Sequence, residues 1–394
     1  MIKIEKIIPG GMALGTNSDG KKFFFWNALP GEQVEEFKIT KNKSNFTEAI
    51  ATKISSPSQF RVEPKDSCFL STSPWQIIDY NYELKLKQAL IIEIFKEQKI
   101  SINAPPIFTD YKDYFYRNKM EYALYWDNEL QKIFPAFHMR GSHCKNPVQN
   151  SSIERPEIFT AATKIINELN QNHAEARNYQ SLILRCNQNG EVSGGLYENH
   201  KSHPIFNNLT DQILDQKYSY SPNGFFQINL PVYEMALEKI KPHITTDKVL
   251  DLYAGVGTIG LSVARDKNLT LVEIDKSAFT ELCKNIAISD ISESSKPSSN
   301  HLAILDKSEN VTNYIEPDIT VIVDPPRAGC DTKLIGKLNE VKPEKIIYLS
   351  CNPATQARDI KNLLENYQII DIQIFNFFPH TPHIENLVIL QRKQ

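Results

Sequence analysis

From about Ser221 onward, short apolar runs alternate with stretches of helical periodicity, and this is the most regular pattern in the chain. The runs at residues 248–252, 269–273, 319–323, 345–349, 369–375 and 387–390 are rich in Ile, Val and Leu, as strands buried on both faces are. Strands separated by helices predict a doubly wound, mostly parallel α/β sheet of Rossmann type. Residues 1–56 carry a different pattern. Ile2, Ile4, Ile7 and Ile8 lead into Pro9-Gly10-Gly11, an aromatic run at 22–26 leads into Ala28-Leu29-Pro30-Gly31, and residues 33–39 and 48–54 flank a polar turn. Short strands at this spacing predict a small β-barrel of OB-like kind. Residues 57–220 are mixed, with helical periodicity at 82–99 and 158–170 and strand-like stretches at 114–126 and 179–186. The expected parts are therefore 1–56, 57–220 and 221–394. Residues 292–300 are dominated by serine and read as a surface loop, and no internal repeat is present.

The 394 residues suffice for two or three domains. An apolar content of 41% and a charged content of 23% are those of an ordinary globular chain. No run of about 18 apolar residues suggests a membrane span, and the N-terminus lacks the apolar core of a signal peptide. Six scattered cysteines fit a reducing, cytoplasmic setting rather than a disulfide framework. The formal net charge of −3 gives no bulk support to nucleic-acid binding. Any such role must rest on local patches, for which Lys21, Lys22, Lys38, Lys41 and Lys43 among the N-terminal aromatics are candidates.

Four segments of the C-terminal half carry chemistry. Residues 249–260 end a strand and open a helix with Gly255, Gly257 and Gly260, where the backbone can approach a ligand. Glu273, at the end of the next strand, suits the hydroxyls of a ribose. Taken literally, the glycine spacing also fits an NAD enzyme, and a structural turn is the bland alternative. Asp324-Pro325-Pro326-Arg327 makes a rigid turn after a strand and fixes Asp324 in the cleft beyond the sheet edge. An aromatic after the prolines would suit stacking on an amino-bearing base. Arg327 suits contact with a phosphate or with the turn itself, and a capped turn with a surface arginine is the bland alternative. Cys351 lies in a polar turn at a strand's C-terminal end, where open α/β sheets keep their chemistry. Cys186, Cys283 and Cys330 read as buried small hydrophobes. In residues 378–386, Glu385 is the candidate general base and His380 and His383 are the alternatives; the histidines suit orienting the loop or touching a substrate better than binding metal, since no third ligand is evident. The residues alone reach a cofactor-binding α/β enzyme with a nucleophilic cysteine.

In this order, the segments resemble the RNA 5-methyluridine methyltransferases, over nearly the whole chain. The resemblance implies a methyltransferase domain dependent on S-adenosyl-L-methionine, and a covalent bond from Cys351 to carbon 6 of uracil, with Glu385 removing the proton from carbon 5. It implies that Gln227, Tyr253, Gly255, Gly257, Glu273, Asp306 and Asp324 line the cofactor site. Gln227, Asp324, Arg327, Arg117 and Lys119 would contact RNA. Residues 1–56 resemble a TRAM barrel, an RNA-binding module found on the ribosomal-RNA branch, which favours 23S RNA over tRNA. Many TRAM-bearing members hold an iron–sulfur cluster on four cysteines. Here only Cys68 stands after the barrel, with Cys144 further on, and no cluster is expected. A monomer is expected. The rival from another class is an RNA-binding protein that kept the fold without catalysis; intact Cys351 and Glu385 argue against it.

Overall fold

The structure, a computed structural model, describes the chain except residues 150, 200, 202, 203 and 293–299, so most of the serine-rich stretch lies outside the described residues. The N-terminal strands β1 (Ile2–Ile7), β2 (Ala13–Thr16), β3 (Lys22–Trp26), β4 (Gln33–Asn42) and β5 (Phe46–Ile54) close into a barrel in the order β1-β2-β3-β5-β4. Alternation turns Ile2, Ile4, Phe23, Phe25, Val34, Ala49 and Ala51 inward. Two of the five candidate lysines have partners within the barrel: Lys21 donates to Asn42 Oδ1 at 2.8 Å and Lys41 pairs with Glu48 at 3.0 Å.

A short helix, α1 (Phe69–Thr72), precedes α2 (Tyr80–Glu97). The Asp79 side chain caps α2 by accepting from Tyr82 N at 3.0 Å. Leu90, Ile91, Ile94 and Phe95 of α2 share one hydrophobic core with the barrel and with the C-terminal sheet. The chain then adds β6 (Ile107–Phe108) to that sheet. A second sheet is built from β7 (Lys119–Asp127), β8 (Lys132–His138), β9 (Lys145–Pro147), β10 (Tyr179–Cys186) and β11 (Val192–Glu198), in the order β11-β10-β7-β8-β9. Helix α3 (Pro156–Gln171) covers it through Ile158, Ala162 and Ile166. The strand expected over 114–126 begins only at Lys119. Residues 114–118 run irregularly because their amides bond elsewhere, Phe115 N to Ser152 O and Arg117 N to Ile153 O, each at 2.9 Å.

The hairpin β12 (Leu209–Ile213) and β13 (Gln216–Tyr220) falls on the central side of the expected boundary at 220, yet its Leu209, Ile213, Tyr218 and Tyr220 pack into the C-terminal core. There follow α4 (Leu230–Ile240), β14 (Lys248–Leu252), α5 (Thr258–Val263), β15 (Asn268–Glu273), α6 (Lys276–Ser292), β16 (His301–Leu305), β17 (Thr320–Val323), α7 (Thr332–Val341), β18 (Lys345–Ser350), α8 (Pro353–Leu363), β19 (Tyr367–Phe375) and β20 (Glu385–Arg392). Among the described residues the strand order is β16-β15-β14-β17-β18-β20-β19-β6, with β20 alone antiparallel to the rest. The order reverses at β14, whose neighbours β15 and β17 lie on opposite sides. That switch point opens a crevice at the C-terminal strand ends. No helix among the described residues is long and apolar enough to cross a membrane.

Candidate active site

The crevice begins at the glycine turn after β14. Tyr253 (φ 64°) and Gly255 (φ 58°) both take the left-handed conformation, and a Cβ built on Gly255 would meet nothing within 4 Å. The backbone is thus open to a ligand there. Gly257 and Gly260 serve packing: a Cβ would lie 2.6 Å from Leu282 Cδ1 at Gly257 and 2.7 Å from Asp251 Oδ2 at Gly260. Glu273, at the end of β15, is wired to the turn. Its Oε2 accepts from Gly255 N at 2.8 Å, and its Oε1 from Ile274 N and Asp275 N. Oε2 keeps capacity for a further donor. Asp251 lies 1% exposed; Oδ2 accepts from Gly260 N at 2.9 Å, Oδ1 has no hydrogen-bond partner, and burial pushes the carboxyl up to about 8. Asp306 follows β16 next to Glu273, its amide donating to Glu273 O at 3.1 Å. Open backbone, a ribose-height carboxylate and a second acid on the next strand fit a nucleoside-bearing cofactor.

Three further groups meet along the same edge. Asp324 follows β17, where Pro325 and Pro326 stop the strand. Cys351 follows β18, and Glu385 opens β20. Ser350 faces Asn386 in the β18–β20 ladder, so Cys351 and Glu385 are the next pair across it. Burial, then the charges of Glu385 and Asp324, push the Cys351 thiol up to about 11, while Arg327 pulls it down. Glu385 is 5% exposed, and burial and Asp324 hold its carboxyl well above the ordinary range. Burial alone raises Asp324 to about 7. Three proton-binding groups at mutual electrostatic range, with one guanidinium beside them, form a site that can hold and pass protons.

Side chains not singled out from sequence tie these segments together. Asn352 caps α8 and donates from Nδ2 to Arg327 O at 2.7 Å, and Thr355 Oγ1 donates to the same carbonyl at 3.2 Å. Gln356 Nε2 donates to Tyr348 O (2.9 Å) and Asn386 O (3.0 Å), and its Oε1 accepts from Asn386 Nδ2 at 2.6 Å. Asp359 Oδ2 accepts from Cys330 N and from the Tyr348 hydroxyl, both at 2.8 Å. One turn and helix therefore fix the cysteine relative to both the Arg327 turn and the glutamate strand. Asn352 was legible as a cap before Pro353. Gln356 had no signal.

The loop that delivers Glu385 is clamped from behind. Lys87 and Glu83 of α2 form a fully buried ion pair at 2.8 Å. Lys87 donates to Asn376 Oδ1 (2.6 Å) and Phe378 O (3.1 Å), and Glu83 accepts from His380 N at 2.9 Å. The Tyr116 hydroxyl donates to Pro379 O at 3.0 Å, and Trp75 N to His380 O at 3.0 Å. Trp75 Nε1 in turn donates to Gly11 O in the barrel at 3.0 Å. An i,i+4 Glu/Lys pair reads from sequence as a solvated helix face. Here Trp75 and the loop cover it.

The remaining expected residues lie around this centre. Gln227 is 8% exposed and its carbonyl accepts from Asn118 Nδ2 at 3.0 Å. Lys119, expected at RNA, is engaged with the carbonyls of Asn223 (2.9 Å) and Gly224 (3.2 Å); burial and Arg185 lower it to about 8. It anchors the segment that carries Gln227. Arg117 donates from Nε to Lys119 O at 3.0 Å. His380 is buried, with Nε2 3.1 Å from Asp113 Oδ2, and orients the loop. His383 stands at the mouth, held neutral by the surrounding protein and by the charges of Arg327, Lys87, Arg117 and Arg140. Cys186 and Cys330 are buried as expected, but Cys283 is exposed, on the outer side of α6. Cys68 is buried and Cys144 exposed. After the barrel, Asp66 ties the chain by accepting from Gln76 Nε2 (2.8 Å) and Ser152 N (2.9 Å). An open cleft of about 660 Å³ has Tyr253, Pro326, Asp331 and Arg358 in its wall, but none of Cys351, Glu385 or Gln227. It flanks the reactive edge.

Residues 206–393 match the family model described as tRNA (uracil-5-)-methyltransferase. The whole chain is 28% identical to an uncharacterized RNA methyltransferase of Enterococcus faecalis, covering 97% of it. A Nanoarchaeum equitans protein of the same description is 28% identical over 93% of the chain and 88% of its own length. Among solved structures, the Pyrococcus abyssi tRNA (uracil-54, C5)-methyltransferase in complex with S-adenosyl-L-homocysteine superposes with a TM-score of 0.77 at 22% identity, over 99% of this chain and 100% of that one.

Proposed function

We propose that the chain is an RNA (uracil-5-)-methyltransferase, a reading supported by the family model over residues 206–393 and by its full-length relatives. The enzyme transfers a methyl group from S-adenosyl-L-methionine to carbon 5 of uracil in RNA. We assign the cofactor to the open backbone at Gly255, with Gly257 packing the turn, and with Tyr253, Glu273, Asp306, Asp324 and Gln227 around it. When bound, it supplies an electrophilic methyl group on a sulfonium. Cys351 is the nucleophile. Its sulfur bonds to carbon 6, the thiol proton leaves toward the carboxylates beside it, and the ring electrons make carbon 5 reactive, so that it would take the methyl group as the bond between that group and the sulfonium sulfur breaks. Glu385 then takes the proton from carbon 5, the ring double bond re-forms and Cys351 is expelled. A carboxylate with a raised pKa is a stronger base than one in water, which suits this step. Asp324 and Gln227 face the uracil, and Arg327 and Arg117 take phosphates. The single observation carrying this reading is the pairing of Cys351 and Glu385 across adjacent strand ends.

The five-stranded barrel favours 23S ribosomal RNA as substrate. The second reading is tRNA, because the Pyrococcus abyssi enzyme, named for tRNA, covers 99% of this chain and thus the barrel too. Nucleoside mass spectrometry on tRNA and 23S RNA, from cells with the gene intact, deleted or carrying Cys351→Ala, tests both. Loss of 5-methyluridine from one pool in both mutants supports the activity, names the substrate and assigns the nucleophile. Glu385→Gln is expected to accumulate a protein–RNA adduct that survives denaturing electrophoresis. Unchanged 5-methyluridine in every strain contradicts the reading.

A further inference from the structure

Residues 109–117 leave the sheet beside the reactive edge. Phe108 of β6 faces Phe375 of β19, and Phe375 faces Glu385. The segment thus starts two strands from Glu385, about 10 Å away at ordinary strand spacing. It is not a loose loop. Thr109 Oγ1 lies 2.6 Å from the Tyr80 hydroxyl and accepts from Tyr111 N at 3.2 Å. Asp113 meets His380, and the Tyr114 ring lies 4.4 Å from the His380 ring. Ser152 O holds Phe115 N. Tyr114 and Tyr116 pack inward against the catalytic loop, whereas Tyr111 and Phe115 point out, 72% and 55% exposed. Both outward residues take the left-handed conformation, φ 59° and 56°, which bulky side chains rarely adopt. The fold thus holds two large rings in solvent on a pinned, strained backbone, next to a site whose substrate is RNA. Cations stand among them: Lys65 Nζ lies 3.5 Å over the Tyr114 ring, Lys112 is exposed, and Arg117 follows.

We propose that Tyr111 and Phe115 are a stacking platform for single-stranded nucleotides flanking the target uridine. The proposal rests on the RNA substrate of the preceding section. Exposed rings interleaved with cations are the arrangement that binds unpaired bases, because every base has a face to stack. A uridine delivered to Cys351 must leave its own stack, and its neighbours then need a surface to replace it. The platform is held by the same residues that hold the Glu385 loop, so a base seated on it would be in register with the reactive edge.

The test uses the full-length enzyme, S-adenosyl-L-methionine with a tritiated methyl group, and tRNA and 23S RNA from cells lacking the gene. Tyr111→Ala and Phe115→Ala are expected to raise KM for RNA by about 5- to 150-fold each, the range for loss of one base–aromatic stack. The loss in kcat should be smaller than the rise in KM, and the affinity for S-adenosyl-L-homocysteine should be unaltered. Tyr111→Phe and Phe115→Tyr should restore KM, which a purely structural defect would not predict. The salt dependence of binding should keep its slope, because no phosphate contact is removed. Alanine variants with wild-type KM overturn the platform. If the wild-type enzyme methylates neither pool, the activity reading fails, and filter binding of the same variants to the same RNAs then decides the platform separately: equal affinities overturn it.

Discussion

The barrel touches the loop that carries Glu385 at one glycine, and a methyl group there should report the coupling. Gly10 and Gly11 both sit in the left-handed region, φ 92° and 89°. A Cβ on Gly10 would meet nothing within 4 Å, whereas one on Gly11 would lie 2.1 Å from Pro382 Cβ and 3.3 Å from Trp75 Nε1. Gly10→Ala therefore measures backbone strain alone, roughly 1–2 kcal/mol. Gly11→Ala adds overpacking against a proline that cannot rotate away, about 1–3 kcal/mol more, for a total of roughly 2–5 kcal/mol. Pro382 stands three residues before Glu385, so the loop must shift to admit the methyl. A displacement near 1 Å at the reacting groups costs on the order of 10²-fold in rate. Urea unfolding followed by tryptophan fluorescence reads the stability term, with Trp75 in the contact itself. Methyl transfer at saturating RNA reads the second term. Gly11→Ala should be the less stable variant and lose about tenfold or more in kcat, with Gly10→Ala near wild type in kcat. Equal stability losses in the two variants, or equal kcat, would refute the idea that the barrel face sets the catalytic loop.

Lys87→Met should destabilise the protein by about 3–5 kcal/mol, because it strands Glu83 in the core. Glu83→Gln combined with Lys87→Met should recover part of that loss in the same unfolding assay. Iodoacetamide should alkylate Cys351 in the free enzyme slowly at pH 8 and faster toward pH 11, since only a small fraction of a thiol held near 11 is thiolate. Arg327→Met should move the profile to higher pH and Glu385→Gln to lower pH, whereas a plateau by pH 9 would contradict the electrostatics. Asp251 binds its proton more tightly folded, near 8, than unfolded, near 3.8, so its contribution to stability is present below about 4 and is lost as pH rises through 8. Asp251→Asn, which retains an acceptor for Gly260 N, should therefore gain stability relative to wild type between pH 4 and pH 8. A wild-type-minus-variant difference that does not change with pH would show the carboxyl to be ionised throughout.

The sheet was legible where its strands are buried on both faces and obscure where they are not. β17 and β18 are buried along their full lengths and stand out as apolar runs. β16 carries a short apolar run, Leu302-Ala303-Ile304-Leu305, but is an edge strand partly exposed along its length, and β6 is two residues long. The first was overlooked beside the serine-rich stretch, and the second has no local signal and is defined by the strand it pairs with. The same limit divides the site. Cys351, Asp324 and Glu385 stood out because each follows or opens a strand next to a turn residue with its own meaning. The Gln356 ties to Tyr348 and Asn386, and the Lys87–Glu83 pair, are properties of tertiary approach. On an isolated α2, residues 83 and 87 form a surface pair. Docking of Trp75 and of residues 376–380 over that face converts the pair into a buried clamp. Phe115 was read inside a strand because aromatic density resembles one. The Ser152 and Ile153 carbonyls, 35 or more residues away, draw its backbone out of that path.

The electrostatics and the clamp are linked. Glu385 and Asp324 raise the proton affinity of Cys351, and Asp324 that of Glu385, only while they are held close, and Arg327 is the guanidinium that opposes both shifts. Holding them close requires the Gln356 ties on one side and the barrel, Trp75 and Lys87 on the other. The protein thus accepts the cost of burying an ion pair behind the loop, and gains a site whose thiol stays protonated and unreactive in the free enzyme. A thiol at rest near 11 is poorly suited to attack until the surroundings change. Substrate phosphates beside Arg327 would draw its charge away from the thiol, which by itself opposes activation. The drive must therefore come from the carboxylates taking the proton as the sulfur–carbon bond forms, with bond formation and proton transfer coupled. On that argument Glu385 would act at both ends of the cycle: it would take the thiol proton when the adduct forms, pass it to Asp324 or to water, and then take the carbon-5 proton when the adduct collapses. Its replacement should slow adduct formation as well as trap the adduct, a combination that separates a shared base from one used only in release.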